Sequence, residues 1–143
     1  MAKKRVATLT LADVANFASG LPSATVGLKW NNRTWMVNGR GFCWERALRK
    51  SDLERYGDET PPSGDIIAVC VDNLDAKDAL LAMELPGFFT IPHFNGSAAV
   101  LVELRLARPS DVRAAIEGAW RVVSARPALK PRARKSRSRA RRR

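Results

Sequence analysis

The chain has 143 residues, 45% of them apolar, which suits one ordinary domain with a single hydrophobic core and excludes a long disordered protein. It carries 25 Lys and Arg against 14 Asp and Glu, a formal charge of +11, yet ten of the cations lie between Arg126 and Arg143, where there is no acid. The other 15 basic and 14 acidic residues leave positions 1–125 near +1, so composition alone does not make the body a basic DNA clamp.

In chain order, Leu11, Val14, Ala15 and Ala18 follow helical spacing from Thr10 to Gly20, with Thr10 and Asp13 as a capping box. Val26, Leu28 and Trp30 then alternate with Thr25, Gly27 and Lys29, which predicts a strand with one buried face. Asn31-Asn32 is expected to turn the chain into strands Thr34–Asn38 and Phe42–Arg46, with Gly39-Arg40-Gly41 as the hairpin between them. Ser51 to Glu54 reads as a capping box for a short helix ending near Gly57. The apolar run Ile66–Val71 predicts a more buried strand, and Asp72-Asn73 caps a helix to about Met83 whose inner face is Ala76, Ala79, Leu80 and Met83. Asp72, Asp75 and Asp78 are explained there as capping and macrodipole partners. An aromatic segment, Phe88 to Gly96, precedes a strand from Ala98 to Leu104. Ser110 is expected to cap a last helix with an apolar stripe of Val112, Ala115, Ile116, Ala119 and Val123, anchored by Trp120. The expected architecture is α+β: a two-layer sandwich with a mainly antiparallel sheet and helices on one face, in the order helix, three strands, short helix, strand, helix, strand, helix. Residues 1–125 form the globular domain, and 126–143 form a basic tail expected to be disordered.

Cys43 and Cys70 form no CxxC and His93 is the one histidine, so a zinc site lacks its usual ligands and two buried thiols in a reducing compartment are expected. No apolar run reaches the ~18 residues of a spanning helix or forms a signal peptide, which points to the cytoplasm and away from membranes.

Four stretches, GLKWNNRTWMVNGRGFCWERALRKSDLERYG, PPSGDIIAVCVDNLDAKDALLA, FFTIPHFNGSAAVLVEL and EGAWRVV, together resemble the MmcQ/YjbR-like family of small bacterial proteins. The resemblance covers about residues 10 to 125, and its most specific element is Phe88, Phe89, Pro92, His93, Phe94 and Gly96, followed by a Val-Leu-Val strand and a helix with Trp120. It implies a DNA-binding double-wing or CyaY-like fold; the segment from Arg126 departs from the family and inherits no role from it. The weaker likeness to frataxin-like proteins would imply iron, but their dense acidic ridge has no counterpart in a body of balanced charge, and no cofactor or metal is expected.

Ten cations in 18 residues suit a polyanion-binding arm: Arg126, Lys130, Arg132, Arg134, Lys135, Arg137, Arg139, Arg141, Arg142 and Arg143. Without a scaffold such arginines read no sequence, so the contacts fall mostly on phosphates. In the hairpin region Lys29, Arg33, Arg40 and Arg46, with Arg49 and Lys50 beyond, interleave with Trp30, Trp35, Phe42 and Trp44. The tryptophans are expected to face the core, leaving Arg33 and Arg40 as wing tips. His93 lacks a nucleophile at a recognised spacing and is expected to donate a structural hydrogen bond from its loop, not to catalyse. The expected function is therefore non-enzymatic, non-specific DNA binding by a monomer or weak dimer. Two rivals stand beside it: a module sequestering a small aromatic ligand, and a protein–protein interaction module.

Overall fold

Two two-residue turns lay down the first half of the sheet in the computed structural model, which describes residues 8–62 and 64–128. Helix α1 (Leu11–Ser19) opens on the expected Thr10/Asp13 capping box, and its Ser19 hydroxyl accepts a 3.2 Å hydrogen bond from the Trp35 indole. Strands β1 (Thr25–Lys29), β2 (Asn32–Val37) and β3 (Arg40–Glu45) follow as an antiparallel meander. Trp30 and Asn31 (φ +50° and +65°) join the first pair, Asn38 and Gly39 (φ +58° and +76°) the second. Both turns thus have the positive φ at both central residues that lets a two-residue loop match the twist of its strands. The first turn lies one residue earlier than expected, so Trp30 belongs to a turn and not to β1; the second is Asn38-Gly39 and not Gly39-Arg40-Gly41, so Arg40 and Gly41 belong to β3.

Next come α2 (Lys50–Glu54), β4 (Ile66–Cys70), α3 (Leu74–Ala82), β5 (Phe88–Phe89), a 3-10 turn (Pro92–Phe94), β6 (Ala99–Glu103) and α4 (Pro109–Ser124). The six strands form one sheet in the order β1-β2-β3-β4-β6-β5, each neighbour antiparallel, and the four helices complete an α+β sandwich. The two-residue β5 is an element the sequence reading lacked.

Cross-strand pairing sorts the side chains by face. Cys43, Val69 and Val100 are in line on the side packed by Val14 and Ala18 of α1 and by Val112, Ile116, Ala119 and Val123 of α4. A register shift at Trp35/Met36 leaves Phe42 as the extra residue opposite β2, so Phe42 and Cys43, adjacent in sequence, both enter this core. On the opposite face Trp44, Ala68 and Leu101 are in line, and Ile91 and Phe94 cover part of it.

Several local expectations give way to this packing. Val26, Leu28 and Trp30, read as a buried face, are 53%, 76% and 80% exposed, because α4 lies across β2, β3 and β4 and leaves the edge strand uncovered. Helix α2 begins after Arg49, whose amide donates to Asp52 at 2.9 Å, so Ser51 is not its cap. Asn73 caps α3 as expected, accepting from the Ala76 amide at 2.8 Å, but the buried residue of α3 is Lys77, while Ala79 and Met83 are exposed. Helix α4 starts on Pro109 after Arg108, not on a Ser110 cap, while its stripe and the Trp120 anchor, which donates to the Pro22 carbonyl at 2.9 Å, are as expected. At Gly87 (φ +83°) a Cβ would lie 2.7 Å from the Glu103 carbonyl oxygen and 2.9 Å from the Ala107 nitrogen, so this turn into β5 requires glycine.

Arg126 and Pro127, placed by sequence in the tail, are held to the second hairpin: Asn38 Nδ2 donates to the Ser124 and Arg126 carbonyls, and Arg40 Nε to that of Pro127 at 3.0 Å. The rest of the expected disordered tail, from residue 129, lies outside the described residues. No helix among the described residues is long and apolar enough to cross a membrane.

Candidate nucleic-acid interface

The sheet face turned away from α1 and α4 is left partly open, and a groove of about 600 Å³ lies on it. Its floor is Trp44 of β3, Cys70 at the end of β4 and Ala99 of β6; Trp30 stands at one side and His93 and Phe94 of the 3-10 turn at the other. A continuation of about 240 Å³, sharing Trp30, Trp44, Cys70 and Arg126, extends towards Lys29 and Arg40. Among the described residues no carboxylate lines either part, whereas Lys29, Arg40, Arg46, Arg49 and Arg126 do. A near-neutral body thus concentrates cations on one concave surface, where their fields add.

Two buried cations shape the wall. Lys77 Nζ donates to the carbonyl oxygens of Phe94 and Ser97, the latter at 2.9 Å, tying the 94–97 loop to α3. Burial pulls its pKa below the ordinary lysine value, against the opposing pull of Asp78. Arg46, 3% exposed, pairs with Asp52 at 3.1 Å, donates to the Ala47 carbonyl and lies 5.4 Å from the Phe94 ring centroid. Burial by itself would raise the Asp52 pKa. The Arg49 amide, the Arg46 guanidinium and the nearby His93 outweigh it and hold the carboxyl below its usual value.

The residues singled out by sequence therefore fall into separate groups. Lys29, 5.9 Å from the Trp30 ring centroid, Arg40, Arg49 and Arg126 line the groove and form no ion pair among the described residues. Arg40 and Arg126 are steadied by backbone carbonyls, of Pro127 and Asp72, which position them without neutralising them. Arg46 lines the groove with its charge committed to Asp52. Arg33 donates to Glu45 at 2.8 Å, lies over Trp35 and lines neither part of the groove; Lys50 is exposed beyond it. The tail cations Lys130, Arg132, Arg134, Lys135, Arg137, Arg139, Arg141, Arg142 and Arg143 lie outside the described residues.

The tryptophans divide too. Trp35 is fully buried as expected, Trp44 is half-buried in the groove, and Trp30 is exposed beside it. Of the Pro92, His93, Phe94 and Gly96 segment, Phe94 is buried and the other three are exposed. His93 lines the groove and makes no hydrogen bond among the described residues, correcting the expected structural donor; its ring neighbour is Phe94, 6.0 Å between centroids. Cys43 is buried on the helix side and Cys70 half-buried on the groove side, both as free thiols. Sequence reasoning missed Trp30, Cys70, Asp52 and Lys77 as parts of this site.

A second groove, about 400 Å³ between α3 and α4, is apolar, lined by residues such as Leu80, Met83 and Val122, and among the described residues has no cation on it. Among the described residues no group of three or more His, Cys, Asp or Glu is arranged to hold a metal ion.

No described protein-family model matches the chain, and no solved structure matches it. It is similar to "Uncharacterized protein Rv2570" and "Uncharacterized protein MT2646" of Mycobacterium tuberculosis and to "Uncharacterized protein Mb2600" of Mycobacterium bovis. Each is 43% identical over 114 residues, covering 78% of this chain and 85% of the relative.

Proposed function

We propose that this chain, which belongs to one family with those three mycobacterial proteins, is a cytoplasmic DNA-binding protein without enzymatic activity. The observation that carries the reading is the groove lined by five cations and, among the described residues, by no carboxylate. Phosphates are the ligand such a surface favours: each neutralised phosphate releases counterions, and the side chains need no sequence-specific geometry to do this. The segment beyond Ala128 adds nine Lys and Arg and serves as the electrostatic arm. The resemblance to MmcQ/YjbR-like proteins, with their DNA-binding description, agrees with this assignment.

The test is polarisation binding of a labelled DNA to the full chain over about 50 to 300 mM salt, where log affinity falls by ~0.9 per phosphate contact per log unit of salt. Two full-length variants partition the slope: one with Arg40, Arg49 and Arg126 changed to Gln, the other with the nine cations from Lys130 changed to Gln. Each is expected to bind more weakly with a shallower slope. Unchanged binding by the first variant would remove the groove from the reading, and failure of the parent chain to bind would remove the reading.

One observation favours a second reading. The groove volume lies within the ~300–1,000 Å³ range of small-molecule sites, so a planar anion between Trp30 and Trp44 is the rival occupant. It would quench tryptophan fluorescence without any dependence on the nine tail cations.

A further inference from the structure

Trp30 occupies an unfavourable position in two respects. It sits at φ +50° in a turn that asparagine and glycine fill most readily, and its indole is 80% exposed on a body with few exposed aromatics. Neither local conformation nor core packing accounts for a tryptophan there. The turn does, however, set that indole at the side of a concave surface whose floor contains a second, half-buried indole, Trp44.

The two rings are set among separated cations. Lys29 Nζ lies over the Trp30 ring, 5.9 Å from its centroid, so a base would stack on the other face; Arg40 and Arg126 line the same part of the groove, and Arg49 lines it near Arg46 and His93. Flat apolar faces alternating with unpaired positive charges match a polymer that alternates planar bases with phosphates. They match it only when the bases are unpaired. In a duplex the base faces are covered by their neighbours, and a protein surface meets phosphates and groove edges instead. A duplex would leave both indoles without partners, whereas a single strand engages indoles and cations at once.

We infer that the groove binds single-stranded nucleic acid, with unpaired bases stacked on Trp30 and Trp44 and the flanking phosphates held by Lys29, Arg40, Arg49 and Arg126. The inference rests on the nucleic-acid reading given above and narrows it: the groove selects single strands, and the Arg-rich segment after Ala128 adds attraction for either form.

The experiment uses the full chain with three labelled probes, oligo-dT and oligo-U of about 12 nucleotides and a duplex of the same length, at about 200 mM salt so that bare electrostatics is weakened. The variants are Trp30→Asn, which suits the turn, and Trp44→Phe with Trp44→Ala. Oligo-dT or oligo-U is expected to bind more tightly than the duplex and to quench tryptophan emission. Trp30→Asn and Trp44→Ala should each weaken single-strand binding about 5- to 100-fold, Trp44→Phe much less, and none should change duplex binding. Comparing dT with U reports whether the groove prefers a DNA or an RNA strand; a tryptophan-dependent complex with either is the expected result. Retained single-strand affinity in Trp30→Asn and Trp44→Ala, or equal loss for single strand and duplex, overturns the inference while leaving nucleic-acid binding in place. Absence of binding to all three probes by the parent chain overturns both.

Discussion

Lys77, 4% exposed in the middle of a helix, donates its ammonium protons to the backbone carbonyls of Phe94 and Ser97, so one lysine fixes the loop that forms a wall of the groove. Replacement by methionine keeps the aliphatic stem, takes the donor from the Ser97 carbonyl and leaves the Phe94 carbonyl with the Ser97 amide alone. Lys77→Met should lower stability by about 2 kcal/mol, read as a smaller urea midpoint, and weaken oligonucleotide binding through the displaced His93 wall. A midpoint equal to that of the parent chain would show that the loop holds without this anchor.

The Arg46–Asp52 pair makes stability depend on acid. The Asp52 pKa is lower in the folded chain than in the unfolded one, so its contribution is complete above the unfolded value of about 3.9 and is lost as pH falls through the folded value. Asp52→Asn leaves the Arg46 charge buried without a partner and should cost about 3 kcal/mol near pH 7. Urea midpoints at pH 7, 5 and 3 should converge between the two chains at the acid end; a constant gap would contradict the assignment.

Gly87→Ala should be among the most damaging single-methyl substitutions. The clashing atoms belong to the backbone at Glu103 and Ala107 and cannot rotate away, and φ is +83°. A loss of about 2 to 4 kcal/mol is expected by thermal or urea unfolding, where a mobile side-chain obstacle would have cost a fraction of that.

The two thiols should behave differently towards a disulfide reagent at pH 8. Burial pushes both pKa values up, Cys43 much further than Cys70, whose rise is moderated by Arg126. In the native chain Cys43 should be inert and Cys70 slow, with both reacting once urea is added. Arg126→Gln should slow Cys70 further, and oligonucleotide in the groove should shield it.

Trp30→Asn should raise stability even as it weakens binding. A bulky residue in the left-handed region costs roughly 1 kcal/mol or more, and asparagine tolerates it. An increase of about 0.5 to 1 kcal/mol in unfolding free energy is the expected outcome, and a decrease would mean that the indole packs usefully against the fold.

Sequence patterns were reliable where a local interaction decides the outcome. The Thr10/Asp13 box and the stripe of α4 depend on neighbours in the chain and stand as read, and the strand expected over Ile66–Val71 forms over Ile66–Cys70. Alternation misled at Val26, Leu28 and Trp30, because whether an apolar face is covered depends on which strand ends at the sheet edge and where α4 lies, both set far away in sequence. At the second hairpin the signal is present: Asn38-Gly39 is a strong two-residue turn pair, and Gly41 two residues on makes a three-residue loop look equally suitable. Lys77 was illegible in a different way, since a buried lysine is explained by carbonyls 17 and 20 residues away that no helical period reveals. The groove itself is a product of sheet pairing, which brings Trp44, Cys70 and Ala99 onto one surface from three strands.

The clamp that ties Asn38 and Arg40 to the backbone of Ser124, Arg126 and Pro127 fixes a geometric tether. Fifteen residues follow Ala128, and a chain of that length reaches at most about 50 Å, so the nine cations they carry lie within that radius of Ala128. If the groove seats a strand as proposed, their engagement with it would be intramolecular, governed by a local molarity in the roughly millimolar range and independent of how dilute the protein is. Groove and arm would then combine as a bivalent binder, and lengthening the connection between them would erode avidity without removing a single contact.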